Sequence, residues 1–431
     1  MNADALRARL AQAAGAGAVR TGEASGLRFA HGAAPHAVVA PEKAEHAAGV
    51  LAACSAEGWR TLCAGAGTWL PAGRPGAVDV VLTTERLTGP IGHSPVDLTA
   101  SVPAGTPLHI LQSACAAHRQ HWPVDPPADH STTAGAVAAM ASAGPARFAA
   151  GTPRDHVLGL ELVTGDGRVL RLGGRVVKNV AGYDLVRLVV GSAGRLGLIT
   201  RLELRLRSLP EDAVTAVCVA TEPDPLIELA ARARDAWPDA IELVSPPVAH
   251  AVLDALHWTL LIRCAGNRAF VAEARTRLAA LQPGRCRILA AAEADSVWSR
   301  LRAAEIETSA LVRLAGPPAA LATSLAAALE ITGDDAGRWR LACHAGDGIV
   351  RVWRSDPIDV DRAARLARAI ESARAKCSAA RIRVTMPVVP PSMSRDFEPV
   401  PMSEAARRLT RAVQNVFDPA GILDPSGPAP H

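Results

Sequence analysis

Tyrosine and lysine are the scarcest residue types in this sequence of 431 residues. It contains one tyrosine and three lysines, and aromatic side chains make up only 3% of it. Proteins that bind nucleic acid combine a strongly basic surface with aromatic side chains on which bases stack. The net charge is only +4, and no run of arginines is interleaved with aromatics. We therefore expect no nucleic-acid partner.

The eight cysteines include no Cys-x-x-Cys pair. Closely spaced thiolates hold structural zinc ions and iron–sulfur clusters, so neither kind of site is expected here. A protein of this composition that handles electrons needs a separate acceptor. Most of the cysteines lie in apolar segments, which indicates buried thiols in a reducing compartment. They stand at positions 54, 63, 115, 218, 264, 286, 343 and 377.

Long hydrophobic runs are also missing. No stretch is long and apolar enough to span a membrane, and residues 1–22 lack the apolar run and cleavage site of a signal peptide. We therefore expect a cytoplasmic protein. Hydrophobic residues make up 49% and charged residues 20% of the chain, which is typical of a globular protein. Its length suffices for two or more domains.

The most distinctive stretch runs from Gly173 to Ile199 and contains six glycines among apolar residues. Glycine tolerates a positive φ and lets the backbone approach a partner closely. The only tyrosine, Tyr183, lies within six positions of Lys178, one of the three lysines. Composition alone favours two interpretations equally: a strand–turn–strand in an α/β core, with Leu185–Val190 as one strand, or the wall of a cofactor site.

A short Gly-rich turn, Ala64-Gly65-Ala66-Gly67-Thr68, follows a predicted strand over residues 59–63. Successive backbone N–H groups in such a turn can bind a pyrophosphate. No Gly-Lys-Ser/Thr follows, so the turn is not a phosphate-binding P-loop. Leu70 occupies the third glycine position of a dinucleotide fingerprint. Taken alone, the segment is an ordinary turn.

A second candidate loop lies between a Pro-rich segment and an Ala-rich helix. Its threonine hydroxyls either cap that helix or face the phosphates of a cofactor beside the helix N-terminus. Gly144 lies in the loop that follows the helix. The residues concerned are Pro126, Ser131, Thr132, Thr133, Gly135 and Ala136.

The order of residues in the Gly-rich stretch resembles one flavoprotein family. Residues 176–185 read Val-Val-Lys-Asn-Val-Ala-Gly-Tyr-Asp-Leu, and residues 190–200 read Val-Gly-Ser-Ala-Gly-Arg-Leu-Gly-Leu-Ile-Thr. This pattern is similar to the flavin-binding domain of the vanillyl-alcohol-oxidase and p-cresol-methylhydroxylase (PCMH-type) superfamily, in particular its glycolate oxidase E-subunit branch. The resemblance covers nearly the whole chain and is densest from residue 105 to residue 206.

This resemblance implies an α+β fold with three parts: a two-lobed PCMH-type FAD-binding domain over 1–211, an α+β cap domain over 212–390, and a C-terminal segment over 391–431 that returns to the FAD domain. It implies FAD as cofactor. The loop at 64–68 contains no histidine, so a covalent link there is not expected and the FAD is predicted to be non-covalent. The residues implied to bind FAD are those of the two loops above, Gly144, Lys178, Asn179, Gly182, Tyr183, Asp184 and Ile199.

One segment of the predicted cap departs from the family. Catalytic 2-hydroxyacid dehydrogenases of the superfamily carry His-x-Gly-Asp-Gly-Asn-x-His, in which both histidines bind a divalent metal. Here His344 matches the first histidine, but Arg351 replaces the second. Arginine stays protonated and cannot be a metal ligand. We therefore expect no metal site and assign no catalytic residue, with Arg351 and His344 as the only candidates. Val177 and Ala181 likewise replace polar residues of the catalytic relatives.

Three functions follow from the resemblance and its departures. The chain is either an FAD-containing subunit of a glycolate oxidase-type complex, a self-sufficient FAD-dependent 2-hydroxyacid dehydrogenase, or a flavin-free structural subunit. The first is favoured. It implies two partners, a second FAD-containing catalytic subunit and an iron–sulfur subunit, with a small 2-hydroxy acid as substrate of the complex. The complex would be cytoplasmic or peripheral to the inner membrane.

Replacing Gly182 tests the flavin-binding interpretation of the Gly-rich stretch. The residue between Ala181 and Tyr183 is expected to need a positive φ or a close approach to the flavin ring. Gly182→Val should then cost about 1–3 kcal/mol in backbone strain. We expect the purified variant to lose flavin, measured by its visible absorbance, while the cap domain stays folded. Unchanged flavin affinity would identify the glycine as a simple turn residue.

Overall fold

The computed structural model describes residues 3–25, 34–69, 78–174, 183–282, 286–306 and 308–423. Lys178, Asn179 and Gly182 therefore lie outside the described residues. Among the described helices, none is both long enough and apolar enough to cross a membrane.

The first lobe is a small sheet covered by two helices. Strand β2 pairs in parallel with β4, β4 pairs in parallel with β3, and β1 lies antiparallel at the edge, which gives the order β1-β2-β4-β3. Helices α1 and α2 bury leucines such as Leu10 and Leu51 in its core. In chain order the elements are α1 Ala3–Ala14, β1 Val19–Arg20, β2 Ala37–Val39, α2 Ala44–Glu57, β3 Thr61–Ala64 and β4 Val80–Thr83.

The second lobe is an antiparallel sheet of order β5-β6-β10-β8-β9, with β7 and β11 paired beside it. A hairpin at Gly165-Asp166-Gly167 joins β8 and β9. The elements are β5 Gly92–Ser94, β6 Thr99–Pro103, α3 Leu108–Ala116, β7 Gln120–His121, α4 Ala134–Met140, α5 Arg147–Ala150, α6 Pro153–His156, β8 Val157–Val163, β9 Val169–Gly173, α7 Leu185–Val189, β10 Leu198–Arg205 and β11 Arg207–Ser208.

Helix α7 corrects the core interpretation of the Gly-rich stretch, which made Leu185–Val190 a strand. The Asp184 carboxylate accepts a hydrogen bond of 3.0 Å from the Arg187 backbone N–H and so caps the helix. An aspartate at this position satisfies an N–H group that has no partner within the helix. The apolar run therefore buries one helical face, with Val186 and Val189, in the core of the second lobe.

The cap is an eight-stranded antiparallel sheet of order β15-β12-β14-β13-β17-β18-β16-β19. Helices α8, α10, α12 and α13 cover one face, and α9 and α11 pack on the other. The elements are β12 Asp212–Ala220, α8 Asp224–Ala233, β13 Ala240–Val244, α9 Pro246–Leu253, β14 Trp258–Gly266, α10 Arg268–Leu281, β15 Cys286–Ile288, α11 Ala291–Ala303, β16 Ala310–Ala315, α12 Leu321–Thr332, β17 Arg340–His344, β18 Ile349–Arg354, α13 Val360–Ser378 and β19 Arg383–Val388.

Two cysteines of the cap depart from the expectation of free thiols. Cys218 in β12 and Cys286 in β15 are directly opposite in the antiparallel ladder and form a disulfide. The sequence did not indicate this pair because its members are 68 residues apart. The other six cysteines are free, and all of them except Cys63 are buried.

The last helix, α14 (Glu404–Phe417), brings the chain back to the first two lobes. Phe417 is buried in the core of the second lobe, and Ile422 and Leu423 are buried in the core of the first. Asp418 holds this end of the chain by accepting hydrogen bonds from the backbone N–H groups of Ile422 and Leu423. The exact boundaries 1–211, 212–390 and 391–431 stay a prediction.

Candidate functional site

The Gly-rich turn lies at the carboxyl end of β3, where the parallel part of the first sheet ends. Gly67 has φ +96°, a conformation that favours glycine. Within the described chain, the backbone N–H groups of Gly65, Ala66, Gly67 and Thr68 donate to no other group. The residues are half-buried. Half-buried N–H groups without a partner form an anion-binding concavity.

The second loop packs directly against this turn. The hydroxyls of Thr68 and Thr132 lie 3.0 Å apart. A Cβ added to Gly65 would lie 2.5 Å from Thr133 Oγ1 and 2.8 Å from Ala136 Cβ, so only glycine allows the two loops to approach this closely. The two segments that are predicted to bind FAD, residues 64–68 and 131–136, thus contact each other.

Several hydroxyls of the second loop also have structural partners. Thr133 accepts a hydrogen bond of 3.3 Å from the Ala136 backbone N–H and caps α4. Asp129 accepts hydrogen bonds from the backbone N–H groups of Ser131 and Thr132, each 2.9 Å long, and from the Ser131 hydroxyl. Burial raises the pKa of the Asp129 carboxyl, but these hydrogen bonds outweigh it and lower the pKa below its usual value.

The described end of the Gly-rich stretch approaches the same turn. A Cβ added to Gly194 would lie 2.9 Å from the Cβ of Cys63, at the end of β3. Tyr183 is 95% exposed, so no described residue covers its ring. Ile199, in contrast, is packed in the core of the second lobe together with side chains of α4. Pro126 is buried, and Gly144 packs against the Asp125 carbonyl.

Comparison with known proteins identifies these two lobes. Residues 35–173 match the protein family described as FAD binding domain. The matched segment runs from β2 to β9 and includes both loops. The predicted cofactor, FAD, is confirmed.

Curated relatives match parts of the chain. Glycolate oxidase subunit GlcE of Escherichia coli is 40% identical over 128 residues, which are 30% of this chain and 37% of that protein. D-2-hydroxyglutarate dehydrogenase of Xanthomonas citri is 32% identical over 201 residues, 46% of this chain and 43% of that protein. Glycolate oxidase subunit GlcD of Bacillus subtilis is 33% identical over 186 residues, 43% and 40% respectively. The chain spans less than half the length of these relatives.

The fold extends beyond the matched segment. A solved structure of alkyldihydroxyacetonephosphate synthase superposes with a TM-score of 0.66 at 14% identity, covering 92% of this chain and 78% of that one. The predicted PCMH-type α+β fold is confirmed. At this identity the likeness concerns the fold alone.

The two meeting loops fit the diphosphate of FAD. The diphosphate needs donors rather than acceptors, and the turn at 65–68 presents backbone N–H groups without partners beside the buried Thr132 and Thr133 hydroxyls. The glycine at position 65 keeps the two loops in contact without a side chain between them. The assignment of the individual site residues stays a prediction.

The candidates His344 and Arg351 lie in the cap, and both contact Glu242. The Glu242 carboxyl is hydrogen-bonded through one oxygen to His344 Nδ1 and through the other to Arg351 Nη2, at 3.0 Å. Arg351 Nη1 also forms an ion pair with Glu305. Glu242 has no exposed surface, and His344 and Arg351 are 3% and 9% exposed. We call Glu242, Glu305, His344 and Arg351 the cap cluster.

Burial shifts the pKa of both members of the Glu242–His344 pair. It raises the pKa of Glu242 well above its usual value, and it lowers the pKa of His344 well below. Both shifts favour the uncharged forms of the two groups, which share a hydrogen bond. Arg351 lies against the carboxyl groups of Glu242 and Glu305, and its charge opposes the rise in their pKa.

The sequence did not indicate Glu242 or Glu305. Glu242 comes from β13, 102 residues before His344, and Glu305 comes from the turn after α11, outside any motif. One signal was present: Glu242 is the only charged residue of Ala240–Val244, a strand that is buried throughout. An isolated carboxylate in a buried strand requires a partner.

The FAD-binding lobes and the cap meet beside this cluster. Arg147 of α5 forms an ion pair of 3.4 Å with Asp347, in the turn between β17 and β18. The Phe148 ring packs against Gly346 in the same turn and lies 5.2 Å from the Arg234 guanidinium. The turn that resembles the family's metal-binding segment is thus held against the FAD lobes.

Replacing Gly65 tests the contact between the two FAD loops. In Gly65→Ala the added methyl group would overlap Thr133 and Ala136, so one loop must move away. We expect FAD affinity to fall about tenfold or more, equivalent to about 1.4 kcal/mol, measured by flavin fluorescence on titration of the flavin-free protein. Gly337→Ala is the matched control, because its Cβ would meet nothing within 4 Å. Equal affinity in both variants would contradict the assignment.

Proposed function

We propose that this chain is an FAD-binding subunit of a glycolate oxidase-type complex, in which it transfers electrons or supports a catalytic flavoprotein partner. The likeness to GlcE and the fit of the two loops to the diphosphate support this proposal. Bound FAD supplies the redox chemistry. The residues of the chain hold the cofactor, exclude water from it and position it relative to the partners.

The observation that carries the proposal is the cap cluster. Oxidation of a 2-hydroxy acid requires a group that anchors the carboxylate and a base that removes the hydroxyl proton. His344 Nδ1 is occupied by Glu242, and Arg351 is occupied by Glu242 and Glu305. Glu242 itself has no exposed surface and is hydrogen-bonded to both residues. His344 and Arg351, the two catalytic candidates from the sequence, are therefore engaged in contacts within the cap.

The second candidate function is a self-sufficient 2-hydroxyacid dehydrogenase. The likeness to D-2-hydroxyglutarate dehydrogenase favours it. It requires either His344 or Arg351 to exchange its internal partner for the substrate. Removing one member from a buried ion pair typically costs about 3–5 kcal/mol, so the substrate would have to compensate for that loss.

The proposed partners are a second FAD-containing catalytic subunit and an iron–sulfur subunit. Helix α14 offers a surface for one of them. Leu409 and Val416, seven residues apart on one face of this helix, are 67% and 62% exposed. Exposed apolar side chains on one face of a helix are typical of a protein contact. The spacing of seven residues fits the packing of a partner helix.

The first prediction of this proposal concerns how FAD is held. We expect the purified protein to be yellow and to release intact FAD when denatured, because no histidine lies in the turn at residues 64–68. The measurement is the flavin spectrum of the supernatant after acid precipitation and filtration. FAD that remains with the polypeptide would show a covalent link at another residue. A colourless protein that takes up no added FAD would contradict the proposal as a whole.

The second prediction is that the isolated chain does not oxidise 2-hydroxy acids at a useful rate. Stopped-flow absorbance of the flavin should show no rapid bleaching with glycolate, D-lactate or D-2-hydroxyglutarate, with or without a divalent metal. Dithionite is the control, since it should bleach the flavin in the same preparation. Rapid, saturable bleaching by any of the three acids would favour the dehydrogenase function instead.

A further inference from the structure

Helix α14 buries very little of its own surface. It contains 14 residues, and Phe417 is its one buried side chain. Helices in proteins are stabilised mainly by the packing of an apolar face, and the described chain supplies little of that packing to α14. Helix α13 shows the usual arrangement, since it buries one face against the cap core through Ala363, Leu366, Ile370, Ala373 and Cys377.

The helix is nevertheless held at both ends. The Ser403 hydroxyl accepts a hydrogen bond of 3.2 Å from the Ala406 backbone N–H and caps the first turn. At the other end, the Arg168 guanidinium donates a hydrogen bond of 2.7 Å to the Val416 carbonyl, and Phe417 is buried in the core of the second lobe. These contacts fix one side of α14 on the FAD lobes and leave the other side uncovered by the described chain.

The uncovered side carries an apolar stripe. Four exposed side chains follow one another at spacings of four, three and four residues, and residues at these spacings lie on one face of a helix. The same spacing defines the seam along which two helices pack. Small and large side chains alternate, so the alanines leave room for the side chains of a second helix. We call these residues the α14 stripe: Ala405, Leu409, Ala412 and Val416.

Positive charge borders the α14 stripe. Arg408 and Arg411, three residues apart and next to Leu409 and Ala412 in the chain, are both exposed. Neither forms an ion pair with a described residue, whereas Arg407 is paired with Glu398. The helix contains three arginines and a single acidic residue. A surface that complements this side of α14 is therefore apolar along its centre and acidic at its edge.

A second copy of this chain does not meet that requirement. Two α14 helices packed along their stripes would bring two pairs of Arg408 and Arg411 into one interface. Like charges that face each other across an interface oppose association. The charge of α14 thus favours a different protein as the partner.

A membrane surface also fits the α14 stripe poorly. Helices that lie in a membrane interface insert bulky apolar side chains such as Trp, Phe and Leu. Two of the four residues of the stripe are alanines, and the aromatic residue of the helix, Phe417, is buried. Alanines contribute little area to a membrane but allow a second helix to approach closely.

We propose that the α14 stripe docks an amphipathic helix of a partner protein, which has aliphatic residues along its seam and acidic residues facing Arg408 and Arg411. The apolar seam supplies affinity, and the charges at its edge select the partner and its orientation. The assignment of this helix to the flavoprotein or the iron–sulfur subunit rests on the proposed function.

The test is site-specific photo-cross-linking of the full chain in the organism that produces it, with p-benzoylphenylalanine in place of Leu409. The same replacement at Leu256, a leucine of the cap that is 72% exposed, is the matched control. We expect position 409 to link to one other protein, at a yield at least tenfold above that of position 256. Mass spectrometry of the linked peptide should identify an acidic segment with aliphatic residues at spacings of three and four.

Four results of this experiment would overturn the proposal. They are a link to a second copy of the chain, a link to lipid, a linked segment without acidic residues, and a yield at position 409 no higher than that at position 256.

Charge-reversed variants test the role of the two arginines. Arg408→Glu combined with Arg411→Glu should lower the yield of the cross-link from position 409 at least tenfold. Arg365→Glu combined with Arg368→Glu is the matched control, because it reverses two exposed charges at the same spacing on α13. If the first variant loses its flavin, Arg408→Gln combined with Arg411→Gln takes its place. An unchanged yield in a flavin-containing variant would contradict the proposed acidic partner.

The identity of the linked protein separates this proposal from the proposed function. A linked subunit that contains flavin or an iron–sulfur cluster supports both. An acidic helix from a protein that contains neither supports docking on the α14 stripe and contradicts the proposed function. Purification of the chain together with a flavoprotein and an iron–sulfur subunit, without a cross-link from position 409, supports the proposed function and overturns docking on the stripe.

Discussion

The complete burial of Glu242 is the constraint on which the arrangement of the cap depends. This side chain lies on β13, near the middle of the eight-stranded sheet, and has no exposed surface. A buried carboxyl group is tolerated only where hydrogen bonds and charges replace the lost water. His344 and Arg351 provide them from β17 and β18. The order of these three strands therefore places each partner within reach, and the register brings Glu242 directly opposite His344.

A different constraint, close approach of backbones, determines the FAD lobes. Gly65 lies against Thr133 and Ala136, and Gly194 lies against Cys63. In both places a side chain would separate segments that must meet at the end of β3. The consequence is a group of half-buried N–H donors that other parts of the described chain leave unused. We propose that the diphosphate of FAD binds to this group.

The two constraints have opposite consequences for ligands. In the FAD lobes, polar groups remain available within the described chain, and we propose that FAD binds to them. In the cap, the polar groups that the family motif would offer to a metal or a substrate form internal pairs. Arg147 and Phe148 connect the two regions by contacts with the turn at Gly346 and Asp347.

The sequence by itself determined the flavin-binding half of this protein. The FAD loops are contiguous segments, so a strand followed by glycines, or threonines before an Ala-rich helix, predicts its local structure without knowledge of distant residues. The departure from the family motif at Arg351 was likewise visible in the sequence. Local patterns failed where a segment suited two structures: Leu185–Val189 is apolar enough for a strand, and the cap of Asp184 together with packing on the core makes it a helix.

Only the tertiary structure decided which residues of the cap contact one another. Glu242 is 102 residues from His344 and 109 from Arg351, and the two disulfide-bonded cysteines are 68 residues apart. No local pattern joins such residues. Their contacts depend on the order of the strands and on register, and a shift of one residue would turn each side chain to the other face of the sheet. For this reason the sequence indicated which residues could bind a ligand, while the fold determined that His344 and Arg351 contact Glu242.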